Sequence, residues 1–241
     1  MAKLKLIPVV EIVPYRLSDR AAPEGEVEPH GPVSRAKWES YLEACRRDVG
    51  LDGLPPVSEG SLMVAVDALE SRHLRTLMVN EAEALEAATR NDTFKPDEMT
   101  VPLDGGDAIE IDGAIVSEPG CCCDLADWFE WQEEITSKRV AWSEIWNGHD
   151  ATSVQLIYRP ETDMFGVRVG AYESGEWDVT LDIEFEELSA CVARLRSTLE
   201  AIASRVEPLV PHGVPPRGAP EHERQRFAAQ VVGLESINHV L

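Results

Sequence analysis

Three consecutive cysteines, Cys121, Cys122 and Cys123, stand directly before Asp124, and His149 follows with Asp150 behind it. Thiolates and imidazole are donor types that hold zinc, which takes four such ligands in a structural site. A cysteine beside a histidine is also the pair a thiol nucleophile needs, because the imidazole draws off the thiol proton. The spacing argues against both. There is no Cys-x-x-Cys pair, and adjacent residues on a strand point to opposite faces. The run is therefore read as a tight turn whose cysteines pack as small apolar side chains, with no cofactor. A zinc or thiol centre on Cys121, Cys122, Asp124 and His149 is the alternative. Ser34 and Lys37 match the Ser-x-x-Lys pattern of some hydrolases, but its companion motifs are missing, and a serine opening an apolar-periodic run reads as a helix cap. Phosphate-loop, dinucleotide-binding, nucleophile-elbow and zincin motifs are absent too.

Charge is the more distinctive signal. The chain has 241 residues, with 44 acids against 22 bases and a formal net charge of −22. Such a chain repels nucleic acid phosphates and anionic lipid, so neither is expected as a partner, whereas a basic protein is. Between Asp97 and Glu134 there are twelve acids and no Lys or Arg. The stretch from Glu161 to Glu187 repeats the pattern with Arg168 as its one base. Both stretches alternate acids with apolar residues, so the acids should gather on wet faces. The expected partner-binding face is Glu110, Asp112, Asp127, Glu130, Glu133 and Glu134. Trp128, Trp131, Trp142 and Trp146 are read as core; the alternative is that one or two at the rim anchor a partner instead.

The elements that must position these residues follow from periodicity. A strand is expected within Lys3 to Tyr15, with Pro8 marking an edge or a bulge. A helix from Ser34 to Asp48 places Trp38, Tyr41, Leu42 and Cys45 on one face. Ser61 to Val66 reads as a strand, Leu69 to Val79 as ambiguous, and Glu81 to Thr89 as a helix. Asp107 to Ser117 is a hairpin about Asp112-Gly113, because both turn residues tolerate positive φ. A helix capped by Asp124 should run from Leu125 to about Thr136, and Trp142 and Trp146 share a helical turn. Val154 to Arg159 and Phe165 to Ala171 form a second hairpin. Trp177 to Phe185 alternates as a strand with one wet face. Glu186 to Val206 carries the apolar stripe Leu188, Val192, Leu195, Leu199, Ile202 and Val206 of a long amphipathic helix.

These elements predict an α+β fold: an antiparallel sheet of hairpins packed against several helices, with a long C-terminal amphipathic helix. Residues 1–206 form one domain, 207–220 a Pro-rich linker and 221–241 a helical appendage. No apolar run is long enough to span a membrane. The start has lysines and a short apolar run, but Glu11 interrupts it and no small-residue cleavage site follows, so no secretory signal is expected. Five cysteines, an odd number, suit a reduced, cytoplasmic protein.

Pro119 to Leu125, with Trp128, Trp131 and the Trp146-x-Gly148-His149 segment, resembles a group of bacterial proteins. These carry Cys-Cys-x-Asp-Leu after a hairpin, then a Trp and a Gly-His pair, then a long helix. The resemblance covers about Gly106 to Val206. The small, acidic character of that group is similar to immunity proteins of bacterial toxin systems. By analogy it implies a non-enzymatic immunity or antitoxin-type protein that neutralises a basic toxin domain.

Overall fold

The first strand, β1 (Leu4–Glu11), runs through the middle of an antiparallel sheet. The computed structural model describes residues 3–25, 27, 31–78, 103–119, 125, 143–146, 152–171, 177–209 and 221–234. Within them β1 pairs on one side with β2 (Met63–Ala65) and on the other with β3 (Gly105–Ile111), which in turn pairs with β4 (Ala114–Ser117). Pro8 therefore lies on a strand with neighbours on both sides. Its missing N–H costs nothing because β2 reaches only as far as Val9. The Glu11 N–H donates to the Asp104 carbonyl on the β3 side (2.9 Å), so two-residue alternation turns the Pro8 nitrogen away from β3, beyond the end of β2.

The β3–β4 hairpin closes as the sequence predicts. Ile111 faces Ala114 across a two-residue turn, with φ of 52° at Asp112 and 87° at Gly113. At the other end of β3, a Cβ on Gly105 would land on the Val9 carbonyl, so only glycine lets β3 approach β1 there.

A second antiparallel sheet holds β5 (Ser143–Trp146), β6 (Thr152–Arg159), β7 (Met164–Ala171) and β8 (Trp177–Glu184), in that order. Ser143 to Trp146 is thus a strand paired with β6 and not the helical turn that the four-residue Trp spacing predicts. That spacing is read correctly only when the backbone is already known to be helical.

Five helices accompany the sheets among the described residues. Short α1 (Pro14–Leu17) leads to α2 (Arg35–Asp48), then α3 over residues 71–78, α4 (Phe185–Val206) and α5 (Glu221–Val231). A 3-10 turn, Val66–Ala68, precedes α3. The Ser34 hydroxyl caps α2 by accepting the Lys37 backbone N–H at 3.3 Å. Tyr41, Leu42 and Cys45 face inward from α2 against Leu62, as the periodicity requires.

Most of the core is a large cluster shared by both sheets, with two smaller clusters among the described residues, one around Val9, Met63 and Ala108 and one under α2. Leu4 and Leu6 of β1 stand opposite Ile111 and Ile109 of β3, and all four are buried in it. Val154, Leu156, Phe165, Val167, Val169 and Ile183 join from the second sheet. α4 packs against β1 and inserts Leu188, Leu195, Leu199, Ile202 and Val206, all buried. Each such side chain contributes about 1.5–3 kcal/mol by leaving water. α5 reaches the same cluster through Phe227, Ala228 and Val231, and the Leu103 N–H donates to the Val231 carbonyl. No helix among the described residues is long and apolar enough to cross a membrane.

The expected helices 81–89 and 125–136 lie outside the described residues, apart from Leu125. That residue is buried and its N–H donates to the Leu103 carbonyl (3.0 Å). The first residues of the expected linker, Glu207–Leu209, form a 3-10 turn that continues α4, and residues 210–220 lie outside the described residues.

Candidate functional site

The acids of the first hairpin are already employed. Asp112 sits at the turn, where its carboxylate accepts the Lys3 backbone N–H (2.8 Å) and its own N–H donates back to the Lys3 carbonyl (3.0 Å). Glu110 pairs with Lys5 at 3.5 Å across the β1–β3 ladder. These contacts pin the start of β1 to the hairpin. Such an exposed pair is worth under about 1 kcal/mol.

The second sheet presents acids more openly. The period of two along β8 buries Ile183 and half-buries Val179 and Leu181, so Asp178, Thr180, Asp182 and Glu184 all stand in solvent. Alternate residues on a strand lie about 6.6 Å apart, which sets Thr180, Asp182 and Glu184 in a row, while Asp178 sits where the register against β7 shifts between Val169 and Gly170. Asp182 is held by Arg159, whose Nη1 lies 2.8 Å away. Arg159 reaches it by passing over Gly166 of β7, where a Cβ would press to 3.1 Å from Nη2. Asp178 and Glu184 have no basic partner among the described residues.

The β6–β7 turn adds exposed Glu161 beside this row, and the first turn of α4 adds Glu186 and Glu187. The turn is locked to the helix start because the Phe185 N–H donates to the Asp163 carbonyl (3.2 Å) and the Tyr158 hydroxyl donates to the Asp163 carboxylate (2.7 Å). Beneath it Tyr158, Phe165 and Phe185 pack ring to ring at 5.1–6.3 Å. The acidic row therefore stands on a rigid apolar base. Its acids were visible in the sequence as the Glu161 to Glu187 stretch. Asp178, Asp182 and Glu184 were not singled out there, because nothing local ranks them above the acids of Asp97 to Glu134.

The remaining chemistry-bearing residues divide in two. Cys121, Cys122, Cys123, Asp124, Asp127, Glu130, Glu133, Glu134 and His149 lie outside the described residues, as do Trp128, Trp131 and Trp142. Those that are described serve the fold. Ser34 caps α2 through the backbone of Lys37, so the Ser-x-x-Lys match is a helix start. Cys45 and Cys191 are free and buried. The Cys191 thiol donates to the Leu4 carbonyl (3.2 Å) while Arg194 approaches its sulfur (3.0 Å). Burial pushes that thiol up from its ordinary value, away from thiolate chemistry. The Glu118 carboxylate takes two hydroxyls, from Ser58 and from Ser61 (2.5 Å), and so fastens the end of β4 to the turn before β2. No group of three metal-type ligands converges among the described residues. The chain matches no protein-family model, no curated protein and no solved structure.

Proposed function

We propose that the chain is a non-enzymatic interaction protein whose acidic surface covers a basic surface on a partner protein, in the manner of immunity or antitoxin proteins. The observation that carries the reading is the wet face of β8. It is a row of exposed acids on a sheet, extended by Glu161 and Glu186, in which Arg159 pairs with Asp182 and Arg168 of β7 stands across from Thr180. Charge of one sign fixed on a preorganised surface speeds diffusional encounter and rejects like-charged competitors. Cys45 and Cys191 are buried without a disulfide among the described residues, an arrangement compatible with the cytoplasmic setting proposed here. A toxin domain with a cationic active face is the partner that the resemblance to immunity proteins implies.

The test is a pull-down from the native host followed by binding kinetics at two salt concentrations. The captured partner should be basic, and the on-rate should fall as salt rises, because exposed charges are screened beyond roughly 10 Å at 0.1 M ionic strength. Asp178→Lys with Glu184→Lys should slow association with little effect on folding, since both side chains are exposed. An acidic partner, or an on-rate indifferent to both salt and charge reversal, overturns the proposal.

A further inference from the structure

His73 is the third residue of α3, only 2% exposed, and does something a histidine rarely does. Its Nδ1 accepts the backbone N–H of Glu70, the residue that caps the helix, at 3.0 Å. This is the return half of a capping box, a role usually filled by Glu or Gln. Because Nδ1 accepts, the proton of the neutral ring sits on Nε2. Nε2 is buried and has no hydrogen-bond partner among the described residues. The fold thus accommodates one protonation state.

We propose that His73 is an acid-sensitive latch that holds the first turn of α3 while its imidazole is neutral and releases it on protonation. A proton can add only to the Nδ1 lone pair that now accepts the Glu70 N–H. Addition turns the acceptor into a donor facing a donor, and the cap is lost. Burial is the leading reason the ring stays neutral, and it holds the histidine below its ordinary value. The charges facing it are mixed: Arg72 and Arg205 oppose a cation, while Glu70 and Asp52 favour one.

The consequence extends past the cap, because α3 is tied on three sides. Arg72 joins Glu70 (2.9 Å) and Asp52 (3.5 Å), and Thr76 donates to the Val49 carbonyl (3.3 Å). Arg205, in the last turn of α4, donates to the Leu69 carbonyl just ahead of the helix. Leu74 and Met78 carry α3 into the main core. Releasing the first turn therefore loosens the junction of α3 with the loop after α2 and with the end of α4.

The sign follows from linkage. A histidine held below its ordinary value of about 6.5 contributes its full stability above that value and loses it as pH falls toward the folded value. Hydrogen exchange of residues 70–78 between pH 7.5 and 5 reads this directly. Opening takes up one proton, so protection should fall by up to about tenfold per pH unit in this window. Residues 164–171 of β7 should stay protected.

His73→Gln is the decisive variant. Its side-chain oxygen can accept the Glu70 N–H but does not titrate, so protection of residues 70–78 should persist with no pH dependence. A flat wild-type response, or the same dependence in His73→Gln, overturns the latch. Should the variant not fold, nitrogen chemical shifts of wild-type His73 decide instead. Nδ1 must be the bare nitrogen at pH 7.5, and the Glu70 amide must change as the ring protonates. A ring that protonates with the Glu70 amide unmoved also overturns it.

Discussion

Glu11 closes β1 at a position where its carboxyl is half-buried and close to Asp104. Burial first, then the Asp104 charge, raise it above the ordinary glutamate value, against the pull of Arg16. A carboxyl raised by folding is held at a cost while charged, so its contribution improves as pH falls through the folded value. Glu11→Gln is therefore expected to be more stable than wild type near pH 7, with the gain shrinking to nothing below the ordinary glutamate value. Urea midpoints from pH 7.5 to 4 would check this. A variant less stable near pH 7, with the loss shrinking as pH falls, would mean that attraction to Arg16 outweighs burial. The sign is opposite to that of His73, so the two groups separate in one pH series. Single residues also mark the limit of what the sequence makes legible. Ser34 and Asp112-Gly113 were readable because cap and turn chemistry acts between near neighbours. The clamp of Ser58 and Ser61 on Glu118 joins residues 60 and 57 positions apart, and nothing near either end announces it.

At the scale of elements, α4 is the piece on which both sheets depend. Leu195 lies at the centre of its stripe and is 1% exposed. Leu195→Ala should cost about 2–5 kcal/mol in chemical denaturation, from lost transfer energy and a residual cavity. Arg196→Ala, one position away on the wet side, removes only an exposed pair with Glu200 and should stay within about 0.5 kcal/mol. Equal costs would mean that the stripe does not face the core. This helix and the hairpins were legible because period 3.6 and period 2 are written in consecutive residues. The partition into two sheets was not, because β1 meets β3 across about a hundred residues of chain and the register is chosen by packing. α3 stayed ambiguous because it offers the core only Leu74 and Met78 fully, with Leu77 half-buried, and its remaining buried residue is a histidine. The candidate acidic row was legible as composition and as alternation. Which of its acids stay open was not, since Arg159 reaches Asp182 over a glycine of a third strand.

The whole molecule is charged unevenly. Residues 1–48, which include α2, hold eight bases and eight acids, so the full excess of −22 belongs to residues 49–241. Self-repulsion of that excess opposes the compact state, and a basic partner relieves it. Salt acts on both, in opposite directions. Screening shortens from about 30 Å at 0.01 M to about 3 Å at 1 M. Intramolecular repulsion fades over that range, so the melting temperature should rise with sodium chloride. The same screening weakens steering toward a cation, so association should slow over that range. Thermal melts and binding kinetics in one salt series put the two effects side by side. A melting temperature that falls with salt would mean that ion pairs such as Arg20 with Asp48, bidentate at 2.8 and 2.9 Å, outweigh the repulsion. A rising melting temperature with a constant on-rate would leave the acidity without a role in recognition. Opposite slopes are what the proposed basic partner requires, with one acidic charge excess that both strains the fold and steers association.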